Sequence, residues 1–450
     1  MGDYLREYKD RTPGSARLYA RASQIMAGGV SHNLRYFAPY PLYIKKTEGS
    51  KIWDVDGNEY IDLWMGHYSH ILGHKPEVIT KVMPEIISLG THWGIVNEYQ
   101  VTFAEDLCRI VPCAEIVRFG VSGTEATMHA VRLARGYTGK NIILKVRGGW
   151  HGSNNDLSIA VHAPMDTPES AGFPPGLTEY TRTLSFNDTE GTLAAIHKYK
   201  SDLAGVLMEA VGQYFIPPVD GFLQGIQVEL KKVGGLFILD EVITGGRLSL
   251  RGAQGRFGLK PDLCTMGKVL GGGMNLGLVA GRKEILDLAS PTAGLPKGKG
   301  VLIGGGTFSC MIPSMIAGRA MLRFLEDNEK EIYPALEKKG QKVREGIEKA
   351  FRSQGIPARC LGVGSLFTTC FPPSNDVPLH NIEDVETKTD LAKRDKEFRL
   401  RMLNGGVYTM YGGGALSMAH TEEDMNRIIR AAEGVAKEMS RGKKQEKGTA

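Results

Sequence analysis

The sequence predicts an α/β protein in which a large domain with a mostly parallel sheet is joined to a smaller α+β domain. Between residues 110 and 285, short apolar runs typical of buried strands alternate with helical patterns, as they do in successive βαβ units. Beyond residue 325 long helical patterns and short strands replace that alternation. With 450 residues, 42% of them hydrophobic, the chain can bury a core of that size.

The predicted organisation has four parts. We expect an N-terminal segment, 1–70, that contributes to the small domain, a large domain over 71–325, a C-terminal small domain over 326–440 and a disordered tail, 441–450. The tail holds four basic side chains and one acidic one, so it carries +3 of the formal net charge of +5. Since the remaining body is nearly neutral, a nucleic-acid-binding surface is not expected.

Cysteine usage and hydropathy indicate a cytoplasmic protein. The six cysteines form no C-x-x-C pair and no spacing typical of a disulfide scaffold, which favours a reducing compartment. No apolar run approaches the length of a membrane span, and the charged residues 1–10 lack the apolar core of a signal peptide. We therefore expect neither a membrane partner nor export.

The N-terminal segment begins with a helical pattern over 4–27 that stops at a Gly-Gly pair. An extended segment, 30–37, follows and contains Arg35. This arginine is either a surface residue stacked on Tyr36 or a guanidinium that binds a substrate carboxylate, and the residues leave both interpretations open. Apolar runs on either side of an Asp-Gly-Asn turn in 51–62 then predict a hairpin.

Three histidines, His67, His70 and His74, follow at spacings that resemble a metal site. Glycines interrupt the stretch, and neither cysteine nor carboxylate lies among the three histidines. We therefore expect loop histidines near a pocket, with His67 a candidate substrate-binding residue, and no metal site.

A strand over 116–119 leads into small and hydroxylated residues, among them Ser122, Gly123 and Thr124, which begin a helix. Backbone N–H groups at such a strand-to-helix turn can bind an anion, helped by the helix N-terminus. A plain Ser or Thr helix cap predicts the same residues. The pattern therefore indicates a phosphate site without excluding a simple cap.

Two further strands place candidate residues at their carboxyl ends. The strand over 141–146 is followed by Trp150 and His151 among glycines, where an aromatic side chain can either lie flat on a planar ring or join the core. The strand over 203–209 ends at a carboxylate, Glu209.

The chemistry is centred on Asp240, Glu241 and Lys268. An apolar strand over 236–239 delivers the two carboxylates to its carboxyl end, where open α/β sheets place their active sites. Lys268 follows another apolar run and precedes three glycines, so backbone can approach a ligand closely there. Although most lysines are solvated and Asp-Glu pairs also build metal or nucleotide sites, a lysine and a carboxylate at one sheet edge suit an imine-forming cofactor.

The C-terminal elements follow a glycine-rich loop. The loop over 291–306 is either flexible or presents Thr307 to a phosphate, with a neighbouring subunit a candidate recipient. A helical pattern over 312–354, punctuated at Pro334, leads out of the large domain. Short strands over 364–371, 407–410 and 415–419 and a helix over 422–439 complete the prediction.

Taken together, five motifs resemble the class III pyridoxal-phosphate aminotransferases. They are Ser-Gly-Thr-Glu-Ala at 122–126, Asp-Glu-Val-Ile-Thr-Gly at 240–245, Pro-Asp-Leu-Cys-Thr-Met-Gly-Lys at 261–268, Gly-Thr-Phe-Ser at 306–309 and Leu-Ser-Met-Ala-His-Thr at 416–421. The resemblance covers roughly residues 20–440 and is strongest to the glutamate-1-semialdehyde 2,1-aminomutase branch. It implies fold type I and pyridoxal 5′-phosphate as cofactor.

The resemblance also implies roles for individual residues. Lys268 forms an aldimine with the cofactor and then shuttles a proton, while Asp240 keeps the pyridine nitrogen protonated. Val242 and Trp150 pack on the two ring faces. The remaining implied residues bind the cofactor phosphate (Ser122, Gly123, Thr124), reach it from a second subunit (Thr307), or line the cofactor and substrate sites (His151, Glu209, Arg35, His67).

Departures from the aminomutase pattern bear on the substrate. This chain has Trp150 where that branch has Tyr, His67 where it has Trp, and the Gly412-Gly413-Gly414 run where it has a glutamate. We therefore expect a homodimeric aminotransferase that moves an amino group between an amino acid or amine and a keto acid or aldehyde. The alternatives are the aminomutase itself, an amino-acid racemase, and a non-catalytic phosphate-ligand binder, although the glycine runs lack P-loop and G-x-G-x-x-G spacing.

Overall fold

The computed structural model of the chain describes residues 3–448, with side chains as far as residue 441. It divides into two compact units: Met1–Pro76 with Pro334–Pro378 and Val385–Ala450, and Glu77–Tyr333 with Leu379–Asp384. We call these the small and the large unit. The chain passes from the small to the large unit at 76/77 and returns at 333/334, and residues 379–384 belong again to the large unit.

The strands are short and numerous. In chain order they are β1 (Ile44–Glu48), β2 (Lys51–Asp54), β3 (Glu59–Asp62), β4 (Ile116–Gly120), β5 (Ile142–Val146), β6 (Thr181–Leu184), β7 (Leu203–Glu209), β8 (Leu236–Glu241), β9 (Leu263–Gly267), β10 (Gly277–Gly281), β11 (Arg359–Val363), β12 (Leu366–Cys370), β13 (Val407–Tyr408) and β14 (Gly414–Ala415).

The helices alternate with these strands. They are α1 (Asp3–Arg11), α2 (Pro13–Ala22), α3 (Met65–Tyr68), α4 (Glu77–Thr80), α5 (Met83–Leu89), α6 (Glu98–Ile110), α7 (Gly123–Thr138), α8 (Thr189–Tyr199), α9 (Phe222–Val233), α10 (Gly252–Phe257), α11 (Lys283–Leu286), α12 (Ile312–Asp327), α13 (Glu329–Arg352), α14 (Ile382–Lys388), α15 (Arg399–Asn404) and α16 (Glu422–Gly448). Within residues 3–448, none of them combines the length and the apolar composition needed to cross a bilayer.

The large unit is built on a seven-stranded sheet in the order β4-β10-β9-β8-β7-β5-β6. The pairs from β9 to β6 are parallel, and β10 runs antiparallel to both of its neighbours. The carboxyl ends of β4, β5, β7, β8 and β9 therefore meet along one edge of the sheet. This edge is where open α/β sheets bind their ligands.

One face of the sheet packs on α7. Side chains alternate between the two faces of a strand, and the register places Ile143, Leu207, Ile238, Leu263 and Val279 on the same face of the five central strands. These residues form a hydrophobic core with the alanines and Leu133 of α7, and all of them are fully buried. The face is thus mostly apolar towards the carboxyl edge, although Lys145 lies in the same row as Leu207, Ile238 and Leu263.

The small unit contains a four-stranded sheet, β1-β2-β3-β13, and a three-stranded sheet, β11-β12-β14. The predicted hairpin is present, since β2 and β3 pair antiparallel across the Asp-Gly-Asn turn. Its main core joins strand residues to the helices α13 and α16, and includes Phe351, Phe367, Phe398 and Ile428.

Several predicted boundaries differ from the structure. The segment 30–37 is not extended throughout, because a 3₁₀ turn at Asn33–Arg35 is capped by the His32 ring, whose Nδ1 accepts from Leu34 N at 3.1 Å. The long helix breaks at Asn328, whose Nδ2 bonds the Phe324 carbonyl, and not at Pro334, which lies inside α13. Pro334 has no backbone N–H to donate, so α13 continues through it with one helical hydrogen bond fewer.

The last helix is longer than predicted. The backbone of α16 is helical to Gly448 and so continues into the predicted tail, consistent with the lysine and glutamate residues there, which are good helix formers. Residues 449–450 of that tail lie outside the described residues.

Candidate active site

A row of polar side chains ends the apolar face at the carboxyl edge. Glu209 of β7 is in register with Asp240 of β8, and Asp240 with Thr265 of β9. Lys145 of β5 lies on the same face, because its partner Leu207 is two residues before Glu209. Four polar side chains therefore converge where the core ends, and the loop after β9 adds Lys268.

Asp240 is buried and held by three donors. Its Oδ1 accepts hydrogen bonds from Val242 N at 3.0 Å and from Thr265 Oγ1 at 2.9 Å, and its Oδ2 lies 2.7 Å from His151 Nδ1. Burial works against the ionised form, but the hydrogen bonds and the charge interaction with His151 outweigh it, and the net effect lowers the pKa of Asp240. The group is a carboxylate at neutral pH.

His151 is the buried partner of that carboxylate. Burial lowers the pKa of the imidazole, so at neutral pH the ring carries one proton, and the acceptor at 2.7 Å places it on Nδ1. Its Nε2 is buried and has no hydrogen-bond partner. His151 therefore donates to Asp240 and fixes the orientation of the carboxylate.

Glu209 differs from Asp240 although the two are neighbours. Burial, followed by the charge of Asp240, raises the pKa of Glu209 to about 8, against the opposing effects of Lys268 and Lys145. The backbone N–H of Trp150 donates to this side chain. Two adjacent carboxyl groups thus differ in protonation, with Asp240 ionised and Glu209 largely neutral at pH 7.

Glu241 belongs to the opposite face of the sheet. It is fully buried, and its oxygens accept from Thr244 Oγ1 at 2.7 Å, Ala253 N at 2.7 Å and Gln254 N at 3.0 Å. The carboxyl group therefore caps the start of α10 and holds the turn after β8, and burial raises its pKa. Asp240 and Glu241 were both candidates in the sequence. Because successive side chains of a strand point to opposite faces of the sheet, Asp240 lies in the polar row and Glu241 caps a helix on the other face.

Lys268 follows β9 directly and has a left-handed backbone, with φ +43°. Its side chain is half-buried. Burial lowers the pKa of its amine, Asp240 and Glu209 act in the opposite direction, and Arg247 adds to the lowering. The lysine thus interacts with both carboxyl groups of the row, and its amine loses a proton more readily than an exposed lysine does.

Glycine is required along this edge. A Cβ atom at Gly277 would lie 2.0 Å from the Ser122 carbonyl oxygen, and one at Gly267 would lie 2.7 Å from the Leu276 carbonyl oxygen. Gly277 pairs with both Gly120 and Gly267. The backbone around Gly277 therefore packs directly against the backbone of the turn at Ser122 on one side and of β9, which precedes Lys268, on the other.

The predicted phosphate-binding turn begins α7, a helix of 16 residues. Ser122 is its N-cap, and its Oγ accepts from Glu125 N at 3.3 Å. A Cβ at Gly123 would lie 3.1 Å from both methyl groups of Val242, so the turn is packed against the residue that follows the Asp-Glu pair. The helix cap and the exposed N-terminus are therefore both present.

The loop after β5 is fastened to the same helix. Thr127 Oγ1 donates to the His151 carbonyl at 2.7 Å, and Ser153 N donates to Thr124 Oγ1 at 3.2 Å. Trp150 lies on this loop with 43% of its surface exposed, so it is not a core tryptophan. Val242 is half-buried.

Thr307 is exposed on the loop before α12. The preceding residue, Gly306, lies beside α7, since a Cβ there would be 3.2 Å from Glu125 Oε1. The loop therefore runs next to the start of the helix, with its threonine at the surface.

Arg35 and His67 belong to the small unit and lie together there. Arg35 Nη1 donates to Ser31 Oγ at 2.7 Å, and Arg35 Nε lies 3.5 Å from His67 Nε2. The His67 ring packs on Trp64 at a centroid distance of 4.2 Å. Tyr36, the alternative partner of Arg35, packs on Tyr19.

The histidines show no metal-binding arrangement. His74 Nε2 bonds Asp62 Oδ2 at 2.8 Å, and His70 packs on His74. In the part of the chain that the structure describes, no group of three or more His, Cys, Asp or Glu side chains is arranged to hold a metal ion.

Two residues of the site were not predicted. Thr265 was hidden in the apolar strand before Lys268, and its role depends on register with Asp240. Lys145 carried a signal that was available, because a lysine inside Ile142-Ile143-Leu144-Lys145-Val146 is a charge within a buried strand.

The fold is shared with solved transaminases. An omega-transaminase from Sphaerobacter thermophilus is 30% identical, with a TM-score of 0.85 over 97% of this chain and 99% of that chain. A beta-phenylalanine aminotransferase from Variovorax paradoxus is 29% identical, with a TM-score of 0.84 over 96% of this chain and 95% of that chain. The sheet and its carboxyl edge define a fold type I transferase, which confirms the predicted fold class.

The particular family follows from the sequence match. Residues 35–420 match the family described as aminotransferase class-III. A glutamate-1-semialdehyde 2,1-aminomutase from Brevibacillus brevis is 38% identical over 429 residues, which are 93% of this chain and 97% of that relative. The chain belongs to the class III aminotransferase family and is an enzyme of that class, as the motifs predicted.

Proposed function

We propose that the chain is a pyridoxal-phosphate-dependent aminotransferase that moves an amino group from an amino acid or amine to a separate keto acid or aldehyde. The observation that carries the proposal is the pairing, at one sheet edge, of an ionised buried Asp240 with the half-buried Lys268. Class III aminotransferases use pyridoxal 5′-phosphate, and the residues present fit that cofactor.

The fit is clearest at Asp240. A carboxylate offers about four lone-pair sites, and three of them are used by Val242 N, Thr265 Oγ1 and His151 Nδ1. One further donor is accommodated, and a protonated ring nitrogen is such a donor. Ser122, Gly123 and Thr124 at the start of α7 would hold the phosphate through N–H and hydroxyl donors.

When bound, the cofactor supplies an electron-withdrawing ring that makes the proton on the amine-bearing carbon removable. Asp240 would hold the ring nitrogen in its protonated form, and His151 would keep the carboxylate oriented. Lys268 would bind the cofactor aldehyde and move the proton at the substrate carbon. Val242 and Trp150 would pack on the two ring faces, and Glu209 would supply a neutral carboxyl group beside them.

The glycine run of the small unit supports a donor unlike that of the aminomutases. A Cβ at Gly413 would lie 2.1 Å from the Phe367 carbonyl oxygen, and one at Gly414 would lie 1.9 Å from the Leu63 carbonyl oxygen. A glutamate side chain therefore cannot replace either residue without moving backbone. Without that acidic group, a β-amino acid or ω-amine donor is favoured, with Arg35 as the candidate carboxylate-binding residue and His67 as a further candidate substrate-binding residue.

A homodimer in which Thr307 reaches the neighbouring site is part of the proposal. Five apolar side chains of two segments are exposed, and we call them together the apolar patch: Trp93, Ile95 and Val96 in the first segment, Leu302 and Phe308 in the second. The first segment meets the second at Phe308 and Cys310, since the His92 and Phe308 rings are 5.4 Å apart and Asn97 Nδ2 contacts the Cys310 carbonyl at 3.4 Å. Contact with a second copy would cover these side chains beside Thr307.

A cytoplasmic location is the simplest proposal for the compartment. All six cysteines are free, and three of them are buried. Free thiols persist in a reducing environment.

Covalent trapping tests the cofactor proposal. The purified protein should be yellow, and borohydride should fix pyridoxal phosphate onto Lys268, as located by peptide mass spectrometry. The variant Lys268→Ala should retain no label and no turnover, whereas Lys260→Ala, at an exposed lysine of the same unit, should behave as the wild type. A colourless protein that takes up no cofactor, as expected of a simple phosphate binder, or label on another lysine would refute the proposal.

A donor panel tests the reaction. β-Amino acids, ω-amines and α-amino acids are incubated with and without pyruvate or 2-oxoglutarate, and products are measured by chiral liquid chromatography with mass detection. We expect amino transfer that depends on the acceptor. Inversion of a donor without an acceptor would instead identify a racemase.

The second candidate is glutamate-1-semialdehyde 2,1-aminomutase, favoured by the relative at 38% identity. Isomerisation of the semialdehyde with neither acceptor present would establish it and overturn our preference for transfer between separate molecules.

A further inference from the structure

A second lysine of the site, Lys145, is completely buried in β5. Its Nζ donates to three backbone carbonyl oxygens: Gly149 at 3.0 Å, Leu157 at 3.0 Å and Ile159 at 2.6 Å. An ammonium group has three N–H donors and no acceptor. All of its donors are therefore used, and a neutral amine would direct a lone pair at one of these oxygens.

The three carbonyls bracket the loop that carries the predicted cofactor contacts. Gly149 directly precedes Trp150 and His151, whereas Leu157 and Ile159 lie eight and ten residues further along the same loop. Gly148 N also donates to the Ala160 carbonyl at 2.7 Å. One side chain from the strand thus ties both ends of the segment 149–159 to β5.

The carboxylate of Glu169 is the main compensation for the buried charge, because Glu209 is largely neutral at pH 7. Lys145 lies on the same face as Glu209 and Asp240 by strand register, and Glu169 and Glu209 interact with it electrostatically. Burial lowers the pKa of Lys145 to about 8 against these two interactions, so the ammonium form still predominates at pH 7. A buried cation persists when it is paired in this way and fully hydrogen-bonded.

We propose that Lys145 is a positioning residue of this active site, whose ammonium holds the segment 149–159 so that His151 contacts the Asp240 carboxylate and the Trp150 N–H contacts Glu209. The proposal rests on the proposed function for what those two residues contact. It differs from a general packing role because the interactions all end on one loop. Breaking them releases that loop from β5 while the apolar core beneath it, formed by Ile143, Leu207 and Ile238, is retained.

Hydrogen exchange of the protein without cofactor tests the loop directly. Amide exchange followed by mass spectrometry is compared between wild type and Lys145→Met, which removes the donors and keeps a side chain of similar length. We expect protection in 149–159 to fall about tenfold or more, with β7, β8 and α7 unchanged. Unaltered exchange in 149–159, or a loss spread evenly over those elements, would overturn the proposal.

Cofactor affinity and partial rescue supply the second measurement. The Kd of pyridoxal phosphate should rise about tenfold or more in Lys145→Met, since Trp150 and His151 are no longer held. Lys145→Arg keeps a charge and donors and should restore part of both the affinity and the loop protection. If Lys145→Met does not fold, Lys145→Arg decides: loop protection at wild-type level or a few-fold below supports the proposal, and complete loss contradicts it.

The chain offers a matched control. Lys140 also donates from Nζ to three carbonyls, those of Lys200, Val233 and Gly234 at 3.0, 3.3 and 3.5 Å, but it precedes β5 at the opposite end of the strand. Lys140→Met should leave both exchange in 149–159 and the Kd unchanged. Failure of wild type to bind pyridoxal phosphate would contradict the proposed function alone, because the exchange measurement uses no cofactor.

Discussion

Two lysines of the large unit lie at the same carboxyl edge, and their surroundings assign them different roles. Lys145 is completely buried with all three donors on carbonyl oxygens, so its nitrogen has no lone pair to attack an aldehyde. Lys268 is half-buried, and the pKa of its amine is lowered first by burial. A nucleophilic amine needs both access and a lowered pKa, and Lys268 has both.

Asp240 and Glu241 are likewise two neighbouring residues of one type with different roles. Asp240→Asn keeps the shape of the side chain but removes the charge that would hold a ring nitrogen protonated. We expect kcat to fall about 100-fold or more, while pyridoxal phosphate still binds. Steady-state kinetics and absorbance titration would measure the two effects, and retention of wild-type kcat would exclude the proposed role.

Glu241→Gln provides the contrast, because that carboxyl group caps α10 on the other face of the sheet. The change weakens buried acceptors of backbone N–H groups and should cost roughly 1–3 kcal/mol of unfolding free energy. The folded variant should retain turnover, as assayed at a temperature below its melting transition. A hundredfold loss of kcat in folded protein would show that the two carboxylates share one function.

At the scale of elements, α6 and α12 are joined by one buried carboxylate. Asp106 accepts from Arg319 Nε at 2.8 Å, Arg323 Nε at 2.9 Å and Arg109 Nη2 at 3.3 Å. Burial alone would raise the pKa of Asp106, but the hydrogen bonds from these arginines outweigh it and lower the pKa to about 2. The pair of helices is therefore held by three arginines around one buried carboxylate.

This cluster predicts a pH dependence of stability. Because the folded pKa of Asp106 lies below the unfolded value of 3.8, its stabilisation is complete above about pH 4 and is lost as pH falls towards 2. Asp106→Asn should lower the unfolding free energy by about 2 kcal/mol at pH 7, as measured in urea, and the difference should shrink below pH 4. Asp327→Asn, at an exposed position of α12, is the control; an equal loss there would contradict the assignment.

At the scale of the whole molecule, the apolar patch leads to a prediction about assembly. Val96 and Leu302 expose 85% and 81% of their surfaces, and a glutamate at either position would place a charge in the proposed interface. Val96→Glu with Leu302→Glu should convert a dimer to a monomer in light scattering, and activity should fall because Thr307 no longer reaches its partner site. Val228→Glu, on α9 with 52% exposed, should change neither. A wild-type monomer with full activity would refute the dimer.

The predictability of the site depended on where the information lay. Motifs contiguous in sequence, such as the turn at Ser122 and the lysine after β9, were predicted because local residue chemistry indicates them. The long-helix break was misplaced because a proline inside α13 is tolerated and Asn328 supplies the cap. Lys145 and Thr265 were missed as functional residues because their importance arises from strand pairing that no local pattern specifies.

By itself the sequence determined the fold class, the family and the residue types available for chemistry, since periodicity and contiguous motifs are local properties of the chain. Only the tertiary structure decided which face of the sheet each carboxylate occupies, that Asp240 is ionised beside a largely neutral Glu209, and that Lys145 is committed to one loop. The physical reason is that side-chain direction, burial and charge pairing depend on the register between strands that are far apart in sequence. Burial and charge pairing set the protonation state of each side chain, and its direction sets which groups it can contact.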